Sequence, residues 1–231
     1  MTSPAAKDDA PEGSSTIRAP FIAFEGVEGC GKSTQISLLS HFLASSTRPF
    51  LITREPGGTP LGDALRNILL SPRSSGIDGL TELFILEASR RVHVQTVILP
   101  ALSRGIIVVC DRFADSSVAY QGGGRRLGAG LVEALNRRAT GNLQPDVTIL
   151  LDLPAEAGLS RVGRRPEPED RLERETLAFH KRVRNAYLRL AARRGDNYRV
   201  VDASASPEQV HKLVMAHIGP MIERFQPPRR S

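Results

Sequence analysis

Residues 21–34 read FIAFEGVEGCGKST: an apolar run, a glycine-rich turn, then a lysine followed by two hydroxyls. FIAFE has the length and the aromatic and β-branched content of a buried strand. Behind it, Gly26, Gly31, Lys32 and Ser33 stand in the order G-x-x-x-x-G-K-[ST], the spacing at which a loop wraps a phosphate. Glycines let the backbone approach the anion closely, and the N–H groups of the loop and of the following helix's first turn point at its oxygens. Gly26, Val27, Glu28, Gly29, Cys30 and Gly31 are therefore expected to form the cradle. Lys32 is expected to bridge the β- and γ-phosphates, Ser33 to ligate magnesium, and Thr34 to reach another phosphate oxygen. Chance can produce such a pattern in a chain with 20 glycines. A strand before it and a helix after it are the context that phosphate binding requires.

The alternation continues outward. FLIT at 50–53, GIIVVC at 105–110, VTILL at 147–151 and YRVV at 198–201 are continuous apolar runs, the pattern of strands covered on both faces. Between them, Ile36, Leu39 and Leu43 recur at helical spacing over 32–44, as do Leu172, Phe179, Val183, Ala186, Tyr187 and Leu190 over 172–190. Strands alternating with helices give right-handed crossovers, so the fold class is α/β with a parallel five-stranded sheet flanked by helices. Ligands of such sheets sit beyond the carboxyl ends of the strands, and each motif below follows a strand. One domain is expected over 21–222, between a polar, proline-bearing disordered tail over 1–20 and a short tail over 223–231. Gly122–Gly124 have no Lys-Ser continuation and read as a flexible turn.

With 231 residues, 40% hydrophobic and 24% charged, the chain can bury one sizeable core. The net charge of +6 is local: residues 161–199 hold 12 Lys/Arg against 6 Asp/Glu, and the rest of the chain holds 19 of each. A local cationic segment suits a polyphosphate as well as a nucleic acid. Without aromatic interleaving or a helix-turn-helix pattern, no nucleic-acid partner is expected. No apolar stretch has the length of a membrane span, and the N-terminus lacks the cationic-then-apolar order of a secretory signal. Cys30 and Cys110 fit neither a zinc spacing nor a disulfide framework. A cytoplasmic protein with no membrane partner is expected.

Phosphate loops occur in kinases, GTPase switches, motors and DNA-binding ATPases alike, so other motifs must decide. FLIT leads into REPGGT (54–59), GIIVVC into DRFADSSVAYQGGGR (111–125), and LLDLP is followed by SRVGRRPEPEDRLE (160–173). Asp111, at the end of an apolar strand, can hold magnesium directly or through water, and Arg112 can clamp an acceptor phosphate bidentately. A surface ion pair is the competing reading. Arg54 and Glu55 should reach the same crevice, although the turn at Pro56, Gly57 and Gly58 alone could account for that run. Arg161, Arg164, Arg165 and Arg171 surround a proline-interrupted loop. This is expected to be a lid over about 161–173 that brings guanidinium groups to a migrating phosphoryl. Arg161 and Arg165 are the first candidates; others are expected to stay solvated or pair with Glu167, Glu169 and Asp170.

These motifs, in this order over Phe21 to about Ile222, resemble thymidylate kinase. The resemblance implies a P-loop nucleoside monophosphate kinase fold with a short lid, phosphorylation of dTMP to dTDP by ATP with Mg2+ for dTTP synthesis, and a homodimer. The apolar helix over 81–102 is a candidate interface. Glycine at position 29 beside an arginine-rich lid matches the subtype whose catalytic cations sit in the lid. By the same likeness Arg90 reads thymine, and Ser117, Tyr120 and Gln121 contact the nucleoside, Tyr120 packing against the sugar. Arg54 and Glu55 help shape the monophosphate site. Leu86 stands where the family places a stacking phenylalanine. Either Leu86 packs on the base or Phe84 substitutes from a shifted helix, and both residues also have a core reading. The expected catalytic set is Lys32, Asp111, Arg112, Arg161 and Arg165. None of the five histidines is required. The rivals are kinases of the same fold acting on dUMP, UMP or AMP, a nucleotide-dependent switch, which would lack the NKxD guanine-reading motif here, and a nucleic-acid ATPase resting only on the pI of about 9.9.

Overall fold

The computed structural model describes residues 19–166 and 168–227. The N-terminal tail apart from Ala19 and Pro20, Glu167, and residues 228–231 lie outside the described residues. Strands β1 (Phe21–Glu25), β2 (Phe50–Arg54), β3 (Ile107–Asp111), β4 (Val147–Asp152) and β5 (Tyr198–Asp202) form one parallel sheet in the order β2-β3-β1-β4-β5. β1 therefore lies at the centre, with β3 on one side and β4 on the other. Every strand ends on a charged residue, so the apolar core stops where the ligand crevice begins. β1, β3 and β4 are apolar and buried along their length, whereas the edge strands are only partly covered: Ile52 is 36% and Val200 46% exposed. A continuous apolar run thus meant two covered faces only at the centre. An edge strand has one neighbour, and the helical cover thins over it.

The helices are α1 (Lys32–Ala44), α2 (Pro60–Leu70), α3 (Gly79–His93), α4 (Leu99–Ser103), α5 (Ala114–Ser117), α6 (Ala129–Thr140), α7 (Ala155–Val162), α8 (Leu177–Arg194) and α9 (Pro207–Arg224). α3 runs into α4 through a π-helical turn at Val94–Ile98, and α5 continues into a second π-helical segment at Val118–Gly124. Polar caps set the boundaries. Thr59 accepts the Gly62 N–H at 2.9 Å to start α2, with Pro60 in the first turn. Ser206 and Gln209 form a reciprocal capping box that starts α9. α1, like α4 to α7, has no side-chain cap; it follows Gly31, φ +95°, and its first N–H groups are left for a ligand.

Three boundaries differ from the sequence expectation. The helix expected from 172 begins at Leu177, because the Asp170 carboxylate accepts the N–H groups of Leu172 and Glu173 and holds a turn there. Gly122–Gly124 is no flexible turn but the end of the buried π segment against α8. A Cβ on Gly123 would lie 2.6 Å from Ala186 Cβ, and one on Gly124 would lie 2.5 Å from the Phe179 ring. The glycines are there for close packing. The C-terminal tail begins later than 223: α9 runs to Arg224, Phe225 is buried, and Arg48 donates to the carbonyls of Glu223 and Phe225 at 2.8 and 2.9 Å. Burying that phenyl ring contributes roughly 2–3 kcal/mol, enough to hold the chain end.

Candidate active site

The carboxyl ends of β1, β2 and β3 open onto one cleft of about 420 Å³. Its donor end is the loop after β1. Glu28, Gly29, Gly31, Lys32, Ser33 and Thr34 line the cleft, whereas Gly26, Val27 and Cys30 stand behind it. The Lys32 ammonium donates to the carbonyls of Gly26 and Val27, both at 3.1 Å, and lies 3.5 Å from Cys30 Sγ. The three residues thus hold the lysine rather than face the cleft. Gly29 meets Gly158 of α7 so closely that a Cβ on Gly29 would lie 2.2 Å from the Gly158 carbonyl oxygen.

The acceptor end grows from β2, β3 and α3. Asp111, Arg112, Arg54, Glu55, Leu86, Arg90, Ser117, Tyr120 and Gln121 all line the cleft. Arg112 adopts φ +67°, a left-handed conformation that costs a non-glycine residue about 1–2 kcal/mol. Its guanidinium is fixed by donation to the Gly26 carbonyl at 2.9 Å, Glu28 Oε1 at 3.1 Å and the hydroxyls of Tyr120 and Tyr187 at 3.1 and 3.2 Å. Beside it lies Arg66, absent from the sequence expectations. Burial, and the nearby charges of Arg54 and Arg112, depress its pKa. Although Arg54 pairs with Asp63 and Arg112 with Glu28, the three guanidinium groups give this end of the cleft a concentration of positive charge suited to an anion. Asp111 Oδ1 is buried without a partner next to them. With the Ser33 hydroxyl lining the same cleft, this orphaned oxygen fits a hard divalent cation such as Mg2+.

Deeper in, Arg90 is 2% exposed, and its N–H groups are engaged. Nε donates to Glu55 Oε2 at 2.8 Å, Nη1 to Glu87 Oε1 and Asn136 Oδ1 at 2.7 Å each, and Nη2 to Ser117 Oγ at 3.0 Å and to the Phe113 carbonyl at 3.4 Å. The last is the weakest bond and the one a ligand acceptor displaces first. Glu55 also lies 3.1 Å from His93 Nδ1, whose Nε2 is 2.7 Å from Thr53 Oγ1. One carboxylate thereby ties the loop after β2 to α3. Gln121 donates to Glu82 at 3.0 Å and leaves its own buried carbonyl oxygen without a partner. Leu86 faces the cleft, and Phe84 is 56% exposed on the outer side of α3. This removes Phe84 from any stacking role.

The lid spans the mouth. Arg161 lines the cleft and donates to the Ala203 and Gly29 carbonyls at 3.3 and 3.4 Å; Arg165 also lines it, paired with Glu173. Arg171, counted with the lid cations on sequence grounds, is buried instead. It donates to Glu82 Oε1 at 2.6 Å and to the Leu69 carbonyl at 2.8 Å, so it anchors the lid to α2 and α3. Behind the loop, Glu28 is held down at about 2: burial raises it, but His180, Arg112 and Lys32 outweigh that. His180 Nδ1 lies 3.3 Å from the buried Glu28 Oε2 and pairs with it. Glu25 is moved the other way. Burial pushes its carboxyl up to about 7 against the lowering effect of Arg112 and Ser116. Glu25, Arg66 and Asn136 were missed; for Glu25 the signal was a carboxylate closing the apolar run FIAFE.

Residues 24–214 match the family model described as thymidylate kinase. A thymidylate kinase of Citrifermentans bemidjiense is 50% identical over 199 residues, 84% of this chain and 88% of that protein. One of Thermomicrobium roseum is 48% identical over 204 residues, 88% and 96% of the two chains. The crystal structure of thymidylate kinase from Ehrlichia chaffeensis superposes with a TM-score of 0.72 at 31% identity, covering 86% of this chain and 98% of that one.

Proposed function

Given that the chain belongs to the thymidylate kinase family, it is a kinase that makes dTDP from dTMP and ATP, and we propose that the cleft described above carries out the transfer in line, with no phosphoenzyme. The observation that carries the reading is the pairing of two anion sites in one crevice: the uncapped start of α1 with Lys32, and the guanidinium cluster of Arg54, Arg66 and Arg112. Phosphoryl transfer asks a protein mainly for alignment and positive charge. Lys32 leaves the loop carbonyls for the β- and γ-phosphates, and Thr34 supports a neighbouring phosphate oxygen. Arg112 holds the acceptor phosphate, and Arg161 and Arg165 supply lid cations. Ser33 and Asp111 are the residues that would hold Mg2+ brought with ATP, whose charge offsets that of the phosphates.

For the nucleoside, Gln121 offers its unpartnered carbonyl oxygen to the thymine N3–H, and Arg90 exchanges its weak bond to Phe113 for thymine O4. Leu86 supplies apolar packing, and Tyr120 borders the sugar. A coupled ADP-release assay across dTMP, dUMP, UMP and AMP tests this. Selective turnover of dTMP is expected, and equal turnover of AMP would overturn the base assignment.

The family likeness also supports a homodimer through α3 and α4, where Leu80, Phe84 and Leu99 are exposed. Sedimentation of the Phe84→Glu variant should show a shift towards monomer. A cytoplasmic location is consistent with the two buried free cysteines. Among the described residues, no helix is long and apolar enough to cross a membrane.

A further inference from the structure

Glu25 is the last residue of β1, fully buried, and absent from every role assigned so far. Its two carboxyl oxygens face three donors from two distant parts of the chain. Oε1 accepts the Phe113 N–H at 2.8 Å; Oε2 accepts the Ser116 hydroxyl at 2.6 Å and the Tyr187 hydroxyl at 2.8 Å. Ser116 and Tyr187 are themselves 2.9 Å apart, and both receive Arg112 Nη1, at 3.4 and 3.2 Å. The backbone on either side is fixed as well: the Arg112 N–H donates to the Phe24 carbonyl at 2.9 Å and its side chain to the Gly26 carbonyl at 2.9 Å. A left-handed arginine does not keep such a conformation for its own sake. The residues before and after it are held by the strand that also launches the phosphate loop.

We propose that Glu25 is a positioning residue for the acceptor clamp, setting the Arg112 guanidinium through Ser116 and Tyr187 and so fixing the distance between the donor loop and the acceptor phosphate. Each hydroxyl can donate its one proton to the carboxylate and present its lone pairs to Arg112. Ionised, as it is above about pH 7, the carboxylate therefore orients both hydroxyls as acceptors towards the guanidinium, and the kinetics below are read there. A glutamine in its place either sets its N–H donors where Oε2 meets both hydroxyls, so that neither can donate to it, or sets them against the Phe113 N–H. The network is short and buried, and a defect in it loosens Arg112 Nη1 while Nη2 stays held by Glu28 and Tyr120. Lys32 is held by loop carbonyls and not by this network.

This inference rests on Arg112 being the clamp, and the experiment separates the two. Steady-state kinetics with ATP and dTMP varied in turn are run on Glu25→Gln, Tyr187→Phe and Arg112→Ala. The two network variants are each expected to raise the KM for dTMP about tenfold, the effect of one lost hydrogen bond to a charged group, with the KM for ATP unchanged. Tyr187→Phe keeps the ring and serves if Glu25→Gln fails to fold. A merely structural role would lower the melting temperature and move both KM values together or neither, and that result overturns the proposal. If Arg112→Ala leaves dTMP use intact, the clamp itself falls, and the proposal with it. If Arg112→Ala is impaired while the network variants are not, only the positioning role falls.

Discussion

The two ends of the cleft are built on opposite plans. At the donor end, a short stretch of contiguous chain supplies nearly everything, most of it backbone, and its one lysine rests on carbonyls of its own loop. At the acceptor end, Arg90 is held by residues 3, 23, 27, 35 and 46 positions away in sequence. The guanidinium and its carboxylate partners Glu55 and Glu87 are almost wholly shielded from water. The first plan binds any polyphosphate and leaves the fold indifferent to the lysine. The second makes the recognising arginine part of the folded core, so specificity and stability cannot be altered separately there.

That contrast can be broken. Replacing Arg90 by Ala strands two buried carboxylates beside each other and should cost about 3–5 kcal/mol of stability, read from urea unfolding. A loss below about 1 kcal/mol, the scale of exposed pairs, would show that the pair is not structural. Lys32→Ala should cut kcat by about 10²- to 10³-fold while the unfolding curve is unchanged; near-normal turnover would remove the lysine from transfer.

The carboxylates of Glu25, at the end of β1, and Glu28, in the loop, give pH signatures of opposite sign. Glu25 has its folded value raised from 4.5 to about 7, so its contribution to stability is full below 4.5 and is lost as pH rises through about 7. Measured against Glu25→Gln, the wild type should lose on the order of 3 kcal/mol across that window. A parallel pair of stability curves would contradict the raised value. Glu28, lowered from 4.5 to about 2, contributes above 4.5 and loses that contribution as pH falls through about 2. The smallest effect belongs to the lid. Arg165 is 47% exposed in its pair with Glu173, so Arg165→Ala should change stability by less than about 1 kcal/mol. The same variant should lower kcat about tenfold, with Arg161 still in reach.

What could be read from the sequence follows the same division. The five parallel strands, α1 to the residue, and Glu28, Gly29 and Gly31–Thr34 of the phosphate loop are coded by local pattern, which a linear reading captures; the order of the strands in the sheet is not. The cleft also gathers Arg54, Glu55, Leu86, Arg90, Asp111, Arg112, Ser117, Tyr120, Gln121, Arg161 and Arg165. The motifs named the participants but not their partners. That Arg171 anchors the lid to Glu82, that Asn136 holds Arg90, and that Gly123 and Gly124 pack against α8 are facts of tertiary distance. No spacing rule contains them. Phe84 shows the limit most clearly, since an aromatic two residues from Leu86 on a helix must face about 200° away from it.

The touching glycines at 29 and 158 couple the phosphate loop to the lid. With each backbone inside the space a Cβ would need, a side chain at either position would push α7 back from the loop, and Arg161, in the last turn of α7, would move with it. A change of one methyl group in the loop would thus be felt at the mouth of the cleft.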